Sequence, residues 1–194
     1  MTWIIVGLGN PGNEYEHTRH NAGRMAVEYF AKKNDVTEWR KDTKAKATVA
    51  KVGTIVCVLP DTFMNSSGSA VVKHVRSVKA AGSMIVVYDD LDLPIGRMKL
   101  SFDRGSGGHK GLDSVMRAVK TRAFARIRIG VSPETPGGKL KKPQGDAGVN
   151  KFILGAFKPA EMDELKKVFK RAHGAINAII ERSATVAMNE FNTN

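Results

Sequence analysis

Short apolar runs that stop abruptly in polar, turn-forming loops constrain this chain more than any other feature. Residues 3–8 run straight into Gly7-Leu8-Gly9-Asn10-Pro11-Gly12, residues 54–59 into a polar stretch at 60–69, and residues 84–88 into Asp89-Asp90-Leu91-Asp92-Leu93-Pro94. Apolar runs of this length bounded by Gly, Pro and Asp read as buried strands. Between them the apolar period changes to that of a helix. Ala22, Met25, Ala26, Tyr29 and Phe30 share one face of residues 22–33, and Ala70, Val71, His74, Val75 and Val78 one face of residues 68–78. Residues 47–50 and 54–59 read as two strands joined at Val52-Gly53. Residues 97–102 read as a further strand, the glycine-rich stretch 104–111 as a loop, and 112–121 as a helix. In strand 125–131 Ile127 and Ile129 alternate with Arg126 and Arg128. Met162, Leu165, Val168, Phe169, Ala172, Ile176 and Ile179 trace a long helix over 159–182, broken near Gly174. Strands alternating with helices predict an α/β class: a single domain over residues 1–194, with a twisted, mixed but mainly parallel central sheet flanked by helices.

In such sheets functional loops gather at the carboxyl ends of the strands. The loops 10–21, 60–69 and 89–92 all follow apolar strands, so they are expected to converge on one site. The segment 132–150 holds three of the seven prolines and several glycines and is expected to be a mobile basic loop.

Composition narrows the partners. The 194 residues carry 31 Lys and Arg against 19 Asp and Glu, a formal net charge of +12, with ordinary apolar content at 42%. Disorder, a membrane span and a secretory leader are not expected: no apolar run approaches ~18 residues, and the first residues read as a strand. The single Cys57 excludes an intramolecular disulfide, and the Cys/His pattern does not suggest a structural zinc site. A reducing cytoplasm is the expected compartment. The excess charge favours a polyanionic partner. It is also segregated: nine Lys/Arg between 97 and 128 face only Asp103 and Asp113, and four lysines between 139 and 151 face only Asp146. That distribution favours a nucleic acid over a general role in solubility.

Each loop on its own admits more than one reading. Gly7 to Gly12 matches G-x-G-x-x-G after a strand, the dinucleotide fingerprint, but Pro11 sits in the turn and helix stands where that fold needs a second strand. His20, in Thr18-Arg19-His20-Asn21, reads either as a capping residue or as a base. His74 and His173 lie on helical faces and read as structural, and His17 as a solvated loop residue. Asp89-Asp90-Leu91-Asp92 suits a magnesium ion, a turn, or a carboxylate that orients a histidine. Asn65 in Phe63-Met64-Asn65-Ser66-Ser67-Gly68 stands beside helix-capping serines or offers an amide to an oxyanion. Ser106-Gly107-Gly108-His109-Lys110-Gly111 opens a helix whose backbone N–H groups suit a phosphate, without the spacing of a P-loop.

In combination these motifs resemble the bacterial-type peptidyl-tRNA hydrolases. The likeness rests on Gly7 to Gly12, Tyr15, Thr18-Arg19-His20-Asn21-Ala22-Gly23, Phe63-Met64-Asn65-x-Ser67-Gly68, Asp89 to Pro94 with Gly96, Gly107-Gly108-His109-x-Gly111-Leu112 and Arg126 to Gly130. Their order and spacing match from residue 3 to about 131, and Phe152-Ile153-Leu154 and the long helix continue it. The resemblance implies hydrolysis of the ester between a peptide and tRNA by a monomer, with no metal and no cofactor. It implies His20 as the base activating water, Asp89 orienting it, Asn10 setting the substrate, and Asn65 binding the peptide or steadying the oxyanion. Tyr15, Met64, His109, Lys110, Lys99 and Arg128 are the positions expected to contact substrate or tRNA. Two residues depart from the family pattern: Lys110 stands where Asn is usual, and Ser101 where a lysine is usual, so that Lys99 or Arg97 is expected to substitute. A lysine ammonium can donate but not accept a hydrogen bond. A non-catalytic RNA-binding relative is therefore the rival expectation, and a nucleotide-cofactor enzyme a distant third.

Overall fold

The computed structural model describes residues 2–193. Seven strands form one sheet: β1 (Trp3–Gly7), β2 (Arg40–Asp42), β3 (Ala47–Val52), β4 (Ile55–Pro60), β5 (Met84–Pro94), β6 (Met98–Phe102) and β7 (Ala125–Ser132), in the order β2-β3-β4-β1-β5-β7-β6. The four central strands β4, β1, β5 and β7 are parallel, and the flanking pairs are antiparallel. The fold is thus a single α/β domain on a mixed sheet with a parallel centre.

Helices cover both faces, which is why the central strands are apolar on both sides. Ile5, Ile85, Val87, Ile127 and Ile129 pack with α1 (Ala22–Lys33) and the 23-residue α6 (Pro159–Glu181). Val6, Met84, Val86 and Tyr88 pack on the other side with α2 (Ser67–Val71), α3 (Val78–Ala81) and α4 (Lys110–Val119). The remaining helices are α5 (Gly145–Ile153) and α7 (Ala184–Phe191).

Several expectations change. The helix over 68–78 ends at Val71, and a new one starts at Val78, where the Ser77 side chain accepts from the Ala80 N–H. Strand β5 continues through Asp89-Asp90-Leu91-Asp92 to Pro94, because β7 keeps pairing with it past a register shift between Asp90 and Pro94. The segment 132–150 is not a plain loop: Glu134 and Leu140 form a bridge, and α5 occupies its end. Helix α6 runs unbroken through Gly174, which faces the Phe191 ring of α7.

Arg126 does not serve a polar outer face either. Strand β7 is covered on both sides, so Arg126 is fully buried over the Phe124 ring and donates to the carbonyls of Gly105 and Arg122. It therefore anchors the glycine-rich loop from below and is not available to a phosphate.

Candidate active site

The carboxyl ends of β1, β4 and β5 lie side by side in the sheet, and the loops that leave them meet there. After β1, Asn10 is locked by Asn21: the Asn10 N–H donates to Asn21 Oδ1 at 2.8 Å, and Asn21 Nδ2 donates to the Asn10 carbonyl at 2.9 Å. This reciprocal pair ties the first loop to the start of α1 and sets the turn that carries His20. Asn10 Oδ1 in turn accepts from the Met64 N–H at 2.8 Å, linking the loop after β1 to the one after β4. That bond fixes the amide orientation, and its NH2 group has no partner among the described residues. Gly23 lets α1 lie directly on β5 behind His20, since a Cβ there would collide with the Val87 carbonyl. Gly111 does the same for α4 against Met64.

At the centre, His20 Nδ1 lies 2.9 and 3.0 Å from the two oxygens of Asp89, and His109 Nε2 lies 2.8 Å from Asp89 Oδ1. All three side chains are at least nine-tenths buried. The tautomers follow from the partners. His109 is the N-cap of α4, and its Nδ1 accepts from the Leu112 N–H at 3.2 Å, so its proton sits on Nε2 and is donated to Asp89. His20 donates through Nδ1, which leaves the Nε2 lone pair free. Burial alone would push the Asp89 carboxyl up, but the His20 and His109 imidazoles outweigh it and hold the group well below the usual carboxylate range. Asp89 is thus an anion at neutral pH that two imidazoles share.

The three donor atoms lie within 4.8 Å of one another, close enough to consider a metal. Their N–O spacings of 2.8–2.9 Å are those of hydrogen bonds. A tetrahedral zinc with bonds near 2.0–2.1 Å would hold its ligands about 3.3 Å apart. The group as it stands is a hydrogen-bonded relay.

Asn10, His20, Met64, Asn65, Asp89, His109, Lys110, Lys99 and Arg128 all line one cavity of about 800 Å³. Asn65 is exposed at its wall, in the short 3-10 turn Met64–Ser66. Tyr15 is not in the lining; it packs edge-on against Phe63, which is, with ring centroids 6.5 Å apart. Arg128 lies directly across from Lys99 in the β6–β7 pair and is drawn to Asp90 at 2.5 Å. Lys110 is exposed at the first turn of α4. Ser101 contributes a buried hydroxyl with no hydrogen-bond partner. Residues from 142 to 154 close the far side, with Lys142 reaching across to Asp92 at 2.5 Å.

Sequence reasoning left the task of Arg19 undefined. Arg19 is buried; its Nη2 donates to both carboxylate oxygens of Glu161 at 2.9 and 3.2 Å, and its Nη1 donates to the carbonyls of Gly155 and Ala156. Its guanidinium also sits 4.6 Å from the Phe152 ring centroid and 5.3 Å from that of Phe157. The neighbour of His20 therefore fastens the α5–α6 junction to the site. Its place in the Thr18-Arg19-His20-Asn21 motif was the one signal that set it apart from the surface basic residues.

A family model described as peptidyl-tRNA hydrolase matches residues 4–194. The chain belongs to that family. Among its curated relatives, the peptidyl-tRNA hydrolase of Syntrophotalea carbinolica is 36% identical over 97% of this chain and 96% of its own length. That of Aquifex aeolicus is also 36% identical, over 97% and 95%. The crystal structure of peptidyl-tRNA hydrolase from Acinetobacter baumannii superposes with a TM-score of 0.85 at 30% identity, covering 99% of this chain and 95% of that one. The overall architecture is therefore the family's. Among the described residues no helix is long and apolar enough to cross a membrane.

Proposed function

We propose that this chain hydrolyses the ester joining a peptide to the terminal ribose of tRNA, with His20 as general base. The observation that supports this reading best is the His20–Asp89–His109 relay at the floor of the cavity. His20 Nε2 takes a proton from water as the water oxygen attacks the ester carbonyl. The resulting imidazolium is stabilised through Nδ1–H by the Asp89 carboxylate, which stays ionised. The oxyanion of the tetrahedral intermediate is met by side-chain amides, Asn65 and the free NH2 of Asn10 being the candidates. Collapse breaks the bond to the ribose oxygen, which leaves with the proton held by His20. Lys99, Arg104 and Lys110 give this cavity a cationic rim for phosphates, while Arg128 and Lys142 are paired with Asp90 and Asp92. Its site of action is the compartment of translation, as a monomer.

The test is release of N-acetylated aminoacyl groups from tRNA. Wild type should release them, and His20→Ala should be slower by roughly 10²–10⁴. Wild type that binds tRNA without releasing anything would favour the RNA-binding alternative, which Lys110 motivates; Lys110→Asn would then be the variant in which to look for recovered turnover. Release by His20→Ala at the wild-type rate would remove His20 from its role.

A further inference from the structure

Tyr88 touches the relay, yet the proposed chemistry leaves it idle. It lines the cavity that holds His20, is only 3% exposed, and its ring lies edge-on to that of His109 with centroids 5.0 Å apart. His109 stands at the same centroid distance, 5.0 Å, from His20. The geometry points to Tyr88 as a positioning residue: its ring braces His109 so that Nε2–H stays on Asp89, a role that rests on the proposed ester hydrolysis.

The alternation of β5 explains how the ring gets there. Successive residues of a strand face opposite sides of the sheet. Val87 packs with α1 and α6, so Tyr88 falls on the other side, in the apolar cluster that holds Met64 and Leu112 of α4. That is the side from which α4 delivers His109 as its N-cap. Two successive residues of β5 thus supply both the acceptor for His109, which is Asp89, and the ring against it, which is Tyr88.

His109 needs such a brace. Two bonds of unequal quality hold it in its own plane: Nε2–H donates to Asp89 at 2.8 Å, and Nδ1 accepts from the Leu112 N–H at 3.2 Å, the long end of the usual range for an N–H donor. Neither bond resists tilting of the ring about the line through its nitrogens, and the χ2 torsion of a histidine is intrinsically broad. Contact with a neighbouring ring does resist it. What the fold uses of Tyr88 is the ring itself, since its hydroxyl makes no hydrogen bond among the described residues and is not sealed in. Burial pushes the phenol up to about 12, so no phenolate stands near the Asp89 carboxylate at neutral pH.

The test compares release from N-acetyl-aminoacyl-tRNA by Tyr88→Phe, which keeps the ring, by Tyr88→Leu, which removes it, and by Tyr88→Leu combined with His109→Ala. The strength of one aromatic contact sets the expected loss: kcat per folded molecule should fall about three- to tenfold in Tyr88→Leu with KM unchanged, and Tyr88→Phe should restore it to within about twofold of wild type. The double variant should be no slower than His109→Ala alone, because Tyr88 acts through that ring. A merely structural role would lower the folded fraction, followed by urea unfolding, and leave kcat per folded molecule where it was. No loss in Tyr88→Leu, losses that add in the double variant, or an effect on KM alone overturn the brace. So does a Tyr88→Phe enzyme as slow as Tyr88→Leu, which would transfer the role to the hydroxyl. If Tyr88→Leu does not fold, Tyr88→Met, whose flexible side chain fills irregular core gaps, takes its place. A readout without activity separates this role from the hydrolase reading beneath it. The His109 Nε2–H proton resonance should be visible in wild type and Tyr88→Phe and lost to exchange in Tyr88→Leu. Its absence in wild type, or its persistence in Tyr88→Leu, overturns the brace, whereas a wild type that releases nothing refutes the hydrolase reading instead.

Discussion

Replacing Asp89 by Asn tests the relay most directly, because the protein dictates how the new amide must sit. His109 cannot change its tautomer cheaply: its Nδ1 is committed to the Leu112 N–H, so its Nε2–H needs an acceptor. The amide oxygen of the substituted residue must therefore face His109, and the amide NH2 falls where Asp89 Oδ2 now lies, 3.0 Å from His20 Nδ1. Two N–H groups cannot point at one another. Although the retained oxygen stays 2.9 Å from His20 Nδ1, the NH2 at 3.0 Å repels an N–H there and biases His20 towards carrying its proton on Nε2, the atom that should accept one from water. In serine proteases the equivalent aspartate-to-asparagine change lowers kcat by about 10⁴ through the wrong tautomer. The same cause predicts a fall of about 10³–10⁴ here, a barrier increase of roughly 4–5 kcal/mol at about 1.4 kcal/mol per decade. Single-turnover release from N-acetyl-aminoacyl-tRNA should show the loss in kcat, with KM little changed. Imidazole nitrogen NMR should show His20 protonated on Nδ1 in wild type and on Nε2 in the variant. An Asp89→Asn enzyme within tenfold of wild type would refute the orienting role.

The same variant makes a pH prediction. The Asp89 carboxyl is held below its ordinary value, so its ionised form stabilises the fold at every pH above the ordinary carboxylate pKa of about 3.9. That contribution is lost as pH falls through the folded value. The stability gap between wild type and Asp89→Asn, measured by urea unfolding, should be full at neutral pH and shrink below about pH 4.

Two other predictions concern packing. Arg19→Ala leaves the partly buried Glu161 without its donor and removes the contacts with Phe152 and Phe157, so it should destabilise by about 3 kcal/mol in urea unfolding; Arg19→Lys should recover less than half, since one ammonium cannot serve Glu161 and the Gly155 and Ala156 carbonyls together and has no plane to stack on the rings. Burial pushes the Cys57 thiol up to about 12, so at pH 8 a thiol reagent should modify it only at the rate of unfolding; prompt reaction in native buffer would contradict its place in β4.

What could be read in advance divides along physical lines. The strand-end loops were legible because each combines a period-breaking Gly or Pro with polar residues of few other uses, and the parallel sheet brings such ends together by topology. Asn10, His20 and Asn65 fall in those loops and Asp89 on the continuing strand β5, and all four line one cavity in the structure. His109 was expected as a substrate contact, whereas its ring is occupied by Asp89 on one side and by α4 on the other. Only the fold brings residues 89 and 109 together, so no local pattern could show it. Arg126 was counted in the basic segment expected to favour a nucleic acid, but β7 is covered on both sides and the arginine satisfies loop carbonyls. The break after Val71 was hidden because the apolar spacing continues through His74 and Val75, while Ser77 is the only residue there with a capping side chain in use.

The relay also explains how binding and chemistry are joined in so small a chain. Asp89 receives His20 from the segment before α1 and His109 from the N-terminus of α4, the helix that opens with Lys110 at the cationic rim. Arg19, next to His20, fastens the α5–α6 junction that closes the far side. A phosphate chain that pulls on α4 or α5 therefore acts on residues one bond or one hydrogen bond from the base. Two histidines on one carboxylate look redundant if only orientation of His20 is needed, since a single acceptor oxygen would suffice. They are not redundant if Asp89 must also report where α4 sits. On that reasoning His109→Phe should leave His20 hydrogen-bonded to Asp89 yet lose the dependence of kcat on the tRNA body, which comparison of full-length tRNA with a short acceptor-stem substrate would reveal.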